Sequence, residues 1–299
     1  MVSLRASGCL LGLALGDALG APHEGGLLER LTWRLVGRTR DGRPRFTDDT
    51  QMAIDLAESL LANGRLDADD FARRLAASHR WSRGYGPGMT RVLRRIRRGE
   101  RWQTASRAVR AAGSFGNGAA TRSPVVAVWA AADPTEVAPL ARASAEVTHG
   151  HALGIEGAVV VAVATHALLA GARGVDAIAV AAEACTADEL RVQLAHLADL
   201  ARRDAEITPT ELVARFGNGM TAQTSVATAL HIAVRHLDRS FEELAAFAIR
   251  CGGDVDTIAA MAGAMWGAAN GAAQLPSIAI EQRERIEAIA AALADRGGK

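Results

Sequence analysis

Apolar residues recur along this chain at the three- and four-residue spacing that marks one face of a helix. The periodicity runs through 52–61, 71–75, 125–132, 153–169, 190–200, 226–234, 241–249, 258–268 and 286–293. Alternating strand patterns bounded by turns are nearly absent. Three openings carry start signals: Asp133-Pro134 before Thr135-Glu136, Thr186 before Asp188-Glu189, and Thr208-Pro209 before Glu211. Each offers a side-chain oxygen to orphan amides, with proline or acid in the first turn. The breaks between periodic stretches are short and rich in Gly, Asn or Asp, and no Pro/Ser linker divides the chain. The expectation is an all-α fold, a compact single-domain orthogonal helical bundle over residues 1–299.

Within the first apolar stretch, Gly8, Gly12, Gly16 and Gly20 recur every fourth residue. That spacing drifts only slowly round a helix, so the glycines make a smooth strip. A strip of this kind predicts close packing on a neighbouring helix, and therefore a buried first helix. The helix must break at Pro22, with Glu24 just past the break.

Composition agrees with packed helices. Hydrophobic residues make up 49% and aromatic residues only 4%, and alanine, the best helix former, dominates the rest. A formal net charge of +1 sets up no strong field for nucleic acid or membrane. Cys9, Cys185 and Cys251 stand far apart without CxxC spacing, which argues against a disulfide framework or zinc site and for a reducing, cytoplasmic setting. Ala6-Ser7-Gly8-Cys9 imitates a lipoprotein cleavage site, but the apolar stretch follows Cys9 and Asp17 interrupts it, so no signal is expected. No run approaches the roughly 20 apolar residues of a membrane span. A monomer outside the membrane is the default expectation.

Two acidic clusters stand nearly the full chain apart. Thr47-Asp48-Asp49-Thr50 and Gly252-Gly253-Asp254-Val255-Asp256-Thr257 each sit immediately before a helical run. Helix capping is the simpler reading, since Asp and Thr satisfy the first amides. Each cluster, however, carries two carboxylates and a hydroxyl, more than a cap needs. In a regular helix Asp254 and Asp256 would lie about 200° apart, yet the flexible glycine pair can turn both toward one centre. Oxygen donors of this kind suit hard cations such as Mg2+.

Gly113-Ser114-Phe115-Gly116-Asn117-Gly118 permits close ligand approach and exposed amides that can cradle phosphate. It is also an ordinary turn, and a second Gly217-Asn218-Gly219 shows how cheaply the tripeptide arises. Tyr85-Gly86-Pro87-Gly88 is a turn by the same rule. Thr148-His149-Gly150-His151 lacks the partners of a zinc site; a substrate hydrogen bond from one histidine and a plain helix start stand side by side. The run Arg94-Arg95-Ile96-Arg97-Arg98 reads first as a solvated helix face, and second as a docking surface for an acidic partner.

In this order, the stretches 12–24 (GLALGDALGAPHE), 46–52 (FTDDTQM), 113–122 (GSFGNGAATR), 147–157 (VTHGHALGIEG) and 252–264 (GGDVDTIAAMAGA) resemble the ADP-ribosylglycohydrolase family. The resemblance spans nearly the whole chain, and the paired Thr-Asp-Asp and Gly-Gly-Asp-x-Asp-Thr motifs shift the reading from capping to metal. It implies an all-α bundle with a dinuclear cleft holding two Mg2+ or Mn2+ ions. Thr47, Asp48 and Asp49 would hold metal from one side, and Asp254, Asp256 and Thr257 from the other. Glu24, Asp49 and Asp256 would handle protons. Gly86, Gly88, Ser114, Gly116, Asn117 and Gly118 would contact substrate, Phe115 would stack on adenine, and His149 would meet the phosphates. The implied reaction is metal-dependent cleavage at the anomeric carbon of the distal ribose. It would release ADP-ribose from a modified protein or small molecule, with nucleic acid only as a modified substrate. Two departures from this reading stand open: a non-catalytic ADP-ribose-binding or structural relative, and an all-α nucleotide pyrophosphohydrolase, whose paired helix-face glutamates are not found. Where relatives often carry Met before the arginine of the Gly-Asn-Gly loop, this chain has Thr121.

Overall fold

At the centre of the fold two helices, Val2–Gly20 and Val255–Asn270, lie antiparallel with their backbones in contact. A computed structural model describes residues 2–203 and 206–296. Gly8 opposes Gly267, Gly12 opposes Gly263 and Gly16 opposes Ala259; a methyl built on any of the three would fall 2.1–2.3 Å from a partner carbonyl oxygen. The four-residue glycine spacing thus becomes a seam along which no side chain intervenes. Glycine in a helix costs about 0.5–1 kcal/mol against alanine, and the close backbone approach returns that cost as dispersion contacts.

The pairing carries a positional consequence. It lays Asp17 and Gly20, at the end of the first helix, against the beginning of the Val255–Asn270 helix, where Gly20 meets Asp256. Helices Asp48–Asn63, Ala152–Leu169, Ala222–Arg235 and Arg283–Arg296 pack around this pair. The fold is one all-helical domain; among the described residues strand-like pairing is confined to the isolated bridges Arg38–Pro44 and Gly116–Thr221.

Several local expectations need correction. Ser3–His23 and Ala152–Leu169 are each long and apolar enough to cross a membrane by length and composition, contrary to the run-length reading. The reason is visible in the fold: 78% of each window is buried in protein, and a helix covered on all sides is apolar all round. Thr186 does not cap the helix Asp188–Arg202; Ala187 holds that position without a side-chain bond. Glu156 has captured the Thr186 amide at 2.6 Å instead. The stretch 125–132 is helical only over Pro124–Trp129, and the short helices Leu27–Val36, Trp102–Val109 and Val175–Ala184 were not foreseen. Asp133 and Thr208 do cap their helices, the latter in a reciprocal box with Glu211.

Candidate active site

The two acidic clusters meet. Gly252 and Gly253 both adopt positive φ, 65° and 72°, a conformation glycine enters without steric cost. The turn leaves Asp254 outside the helix (φ −83°, ψ 65°) while Asp256 sits in its first turn. Across the seam, the first helix gives way to a 3-10 turn, Ala21–His23, which ends at Glu24. Carboxylate oxygens of Glu24, Asp254 and Asp256 all lie within 4.8 Å of one another. Thr257 Oγ1 donates to Asp49 Oδ2 at 2.8 Å, tying the N-terminal cluster to the C-terminal one.

One organising residue was read only as an interruption of apolar sequence. Asp17 is fully buried, and its carboxylate accepts the Thr47 amide (2.9 and 3.1 Å), the Thr50 amide (3.0 Å) and the Thr50 hydroxyl (2.5 Å). It therefore holds the start of the Asp48–Asn63 helix against the seam, with a negative charge at the positive end of that helix. Thr47 is the helix cap, its hydroxyl accepting the Asp49 amide at 3.3 Å; it is buried behind Asp48 and Asp49 and does not line the cleft.

Burial, and then mutual repulsion, push the carboxyls of Asp48, Asp49 and Asp256 well above the ordinary aspartate value, and burial raises Asp254 and Asp17. Asp256 feels Glu24, Asp254 and Asp49; Asp48 feels Asp17, Glu24 and Asp254. Among the described residues, Asp48, Asp49, Asp254 and Asp256 form no ion pair with an arginine, lysine or histidine, and the largest influences on them are burial, neighbouring carboxylates and hydrogen bonds. Converging, largely buried carboxylates supported by hydroxyls fit divalent cations bound through oxygen.

The opposite wall is the 113–118 loop. Gly113 (φ +79°) lies so close to Gly150 that a methyl there would fall 2.2 Å from its carbonyl carbon, and Gly154 abuts the Ser114 carbonyl. The loop is pinned on its other edge by Asn117 N–H to Met220 O (3.2 Å) and Ala222 N–H to Phe115 O (3.0 Å). Asn117 Nδ2 donates to Asp254 Oδ2 at 2.5 Å and to Ser225 Oγ at 3.1 Å. Thr121 answers the question its substitution raised: its hydroxyl, fully buried, donates to the Asn117 carbonyl at 3.2 Å.

His149 is positioned by a buried chain of donors. Arg122, wholly inside the protein and stacked 5.0 Å over Phe71, donates from Nη2 to Ser144 O (2.8 Å) and to Thr148 Oγ1 (2.9 Å). Thr148 Oγ1 lies 2.7 Å from His149 Nδ1. Accepting from arginine leaves the threonine hydroxyl its own hydrogen to offer Nδ1, an arrangement that suits the neutral tautomer bearing hydrogen on Nε2. Burial, with Arg122 and Arg110, lowers His149 to about 3, so the ring is neutral. The helix-start role belongs to His151, whose Nδ1 accepts the Leu153 amide at 3.2 Å.

Floor and wall enclose a cleft of about 730 Å3. Glu24, Asp48, Asp49, Gly86, Gly88, Ser114, Phe115, Gly116, Asn117, Gly118, His149, Asp254, Asp256 and Thr257 all line it. Phe115 is 40% exposed, edge-on to His151 and 5.5 Å from the Arg110 guanidinium. Arg107, Arg110, Met220 and Thr221 also line it and carried no recognisable motif.

An all-helical bundle ending in such a ring of carboxylates and hydroxyls defines a class of hydrolase, and the chain belongs to the ADP-ribosylglycohydrolase family, whose model matches residues 2–299. Among its relatives, the ADP-ribosylhydrolase ARH3 of Homo sapiens is 32% identical over 91% of this chain and 87% of its own length. The ADP-ribosyl-[dinitrogen reductase] glycohydrolase of Rhodospirillum rubrum is 28% identical over 91% and 88%. A solved "ADP-ribosylglycohydrolase-related protein complex" superimposes with a TM-score of 0.72 at 28% identity, covering 99% of each chain.

Proposed function

We propose that this chain is a metal-dependent ADP-ribosylhydrolase that cleaves the bond at the anomeric carbon of the distal ribose and releases ADP-ribose from a modified protein or small molecule. The carrying observation is the convergence of Glu24, Asp254 and Asp256 within 4.8 Å, joined to Asp49 through Thr257, on the floor of a cleft walled by the 113–118 loop and His149. Asp48, Asp49, Asp254, Asp256 and Thr257 would hold two Mg2+ or Mn2+ ions, with Thr47 bracing Asp49 from behind. Bound there, such ions supply Lewis acidity toward ribose hydroxyls and lower the pKa of water.

The chain's own residues supply the rest. Glu24, half-buried at the cleft edge, is the group best placed to take a proton from an attacking water or return one to the leaving group. His149 presents Nε2–H toward the anionic part of the substrate, and the amides of Gly116 and Gly118 approach it without side chains in the way. Phe115 offers an exposed face for adenine. The buried, unpaired thiols of Cys9, Cys185 and Cys251 suit a reducing, cytoplasmic setting, and we read the protein as a monomer.

The test is release of free ADP-ribose from arginine- and serine-linked conjugates with Mg2+, with Mn2+ and with chelator. Metal-dependent release that Asp256→Ala abolishes is expected. Release that persists in that variant, or in chelator, sinks the assignment, and ADP-ribose binding without release from any conjugate would favour a binding protein.

A further inference from the structure

Charge is distributed very unevenly on this molecule. Residues 87–110 hold eight arginines (91, 94, 95, 97, 98, 101, 107 and 110) against one acid, Glu100, a local +7 in a chain whose formal total is +1. The remainder therefore carries −6. The concentration lies on two consecutive helices, Pro87–Arg97 and Trp102–Val109, and on the cap residues Arg98, Arg101 and Arg110, beside the mouth of the cleft.

Two of the eight are spent on structure. Arg97 donates to the Ala76 and His79 carbonyls, and Arg95 pairs with Glu100 at 2.7 Å. Arg91, Arg94, Arg98, Arg101 and Arg107 are exposed, and among the described residues none of them has a carboxylate in ion-pair reach. Arg91, Arg94, Arg95 and Arg98 edge a surface groove of about 340 Å3, completed by Ala108 and Val109. Val109 lines both this groove and the cleft, and Arg107 and Arg110 line the cleft itself. The wall between them is one helix thick, about 10 Å, which an extended peptide crosses in roughly three residues.

We propose that this arginine groove docks an acid-rich segment of the substrate protein, lying some three or more residues from the modified side chain that enters the cleft. The substrate part of this inference rests on the hydrolase reading above; the docking part does not. Guanidinium groups bind carboxylates through paired, charge-assisted hydrogen bonds, and a rim of unpaired cations speeds encounter with an acidic partner. A nucleic-acid strand fits less well. The groove lining holds no aromatic residue on which bases can stack, and the −6 carried elsewhere repels an extended polyanion.

Fluorescence anisotropy with a labelled hexaglutamate peptide, a Gly/Ser peptide and a hexathymidylate, in the presence of the intact protein, tests the docking directly. Hexaglutamate should bind tightest, and the surface reversal Arg91→Glu/Arg94→Glu/Arg98→Glu should weaken it by about tenfold or more, as should 0.5 M salt at roughly the same scale. In turnover, an acidic flank on an ADP-ribosylated peptide should lower KM by about tenfold with kcat unchanged. The same variant should lose that advantage while releasing ADP-ribose from a small conjugate at the wild-type rate. Equal binding of the acidic and Gly/Ser peptides, or tighter binding of the oligonucleotide, overturns the proposal. Hexaglutamate binding that the variant abolishes, in a protein inactive on every conjugate, supports the docking surface and tells against the hydrolase reading.

Discussion

Gly116-Asn117-Gly118 and Gly217-Asn218-Gly219 are the same three residues, and the fold places them on opposite sides of one aspartate. Asn117 reaches Asp254 from the cleft, donating to its carboxylate at 2.5 Å. Asn218 reaches it from behind: its carbonyl accepts the Asp254 amide at 2.9 Å, and its Nδ2 donates to the Cys251 carbonyl at 2.9 Å. Packed against Gly253, Asn218 also leaves no room there for a side chain. One tripeptide orients a carboxylate of the cleft floor, while the other holds the left-handed turn from which that carboxylate projects. The difference lies in what each asparagine faces, a property that no local pattern encodes.

Removing the aspartate that both serve should give the largest effect. Asp254→Ala is expected to lower kcat by about a thousandfold or more; a rate within tenfold of wild type, measured as ADP-ribose release, breaks the assignment. Gly253→Ala comes next. Its new methyl would fall 2.1 Å from the Asn218 carbonyl oxygen at a φ of +72°, so Tm should fall by roughly 5–15 °C, together with metal affinity by calorimetry. The two asparagines then separate. Asn117→Ala should weaken metal binding by roughly 10- to 100-fold with little change in denaturation midpoint. Asn218→Ala should cost about 1–3 kcal/mol of stability first. Matching profiles for the two variants would erase the contrast.

Smaller effects sharpen the roles of the remaining groups. Thr148→Val removes the hydroxyl that holds His149 Nδ1, and should raise KM by about tenfold with kcat nearly kept; Thr148→Ser should restore it. A KM unchanged by valine removes the relay from the mechanism. The last is a matter of pH. The floor carboxyls, raised above 3.8 by burial and repulsion, retain protons in the native state that the unfolded chain has released. The metal-free protein should therefore lose stability as pH rises above that value, and added Mg2+ or Mn2+ should flatten or reverse the slope. Asp55, outside the floor and pushed up to about 7 by burial, adds its own loss between about 4 and 7, which Asp55→Asn should remove from chelator-treated melts.

Much of this was legible in the order of residues. The glycine strip announced a helix seam because its spacing is a property of one helix alone. The two acidic clusters exceeded what capping requires, and their family resemblance made them a pair. Asp17 was not legible. Its meaning depends on the Thr47 and Thr50 amides some thirty residues away, and on its own it is one polar residue in an apolar run. Arg122 and Thr148 were obscured likewise, since a buried arginine and a threonine before histidine become a relay only when three segments fold together. The second Gly-Asn-Gly was dismissed on frequency, a measure blind to what lies behind it.

The seam has a consequence in time. Asp17 and Glu24 are made some 230 residues before the residues they meet, 254–257. At about 5–20 residues per second, the ribosome needs roughly 12–50 s to pass from one to the other. Throughout that interval the first helix has neither its partner backbone nor its share of the floor, so its bare glycine face must be tolerated or shielded. The enzyme's chemistry can therefore begin only after synthesis has passed residue 257, and a chain cut short before residue 254 would carry half of each element and the function of neither.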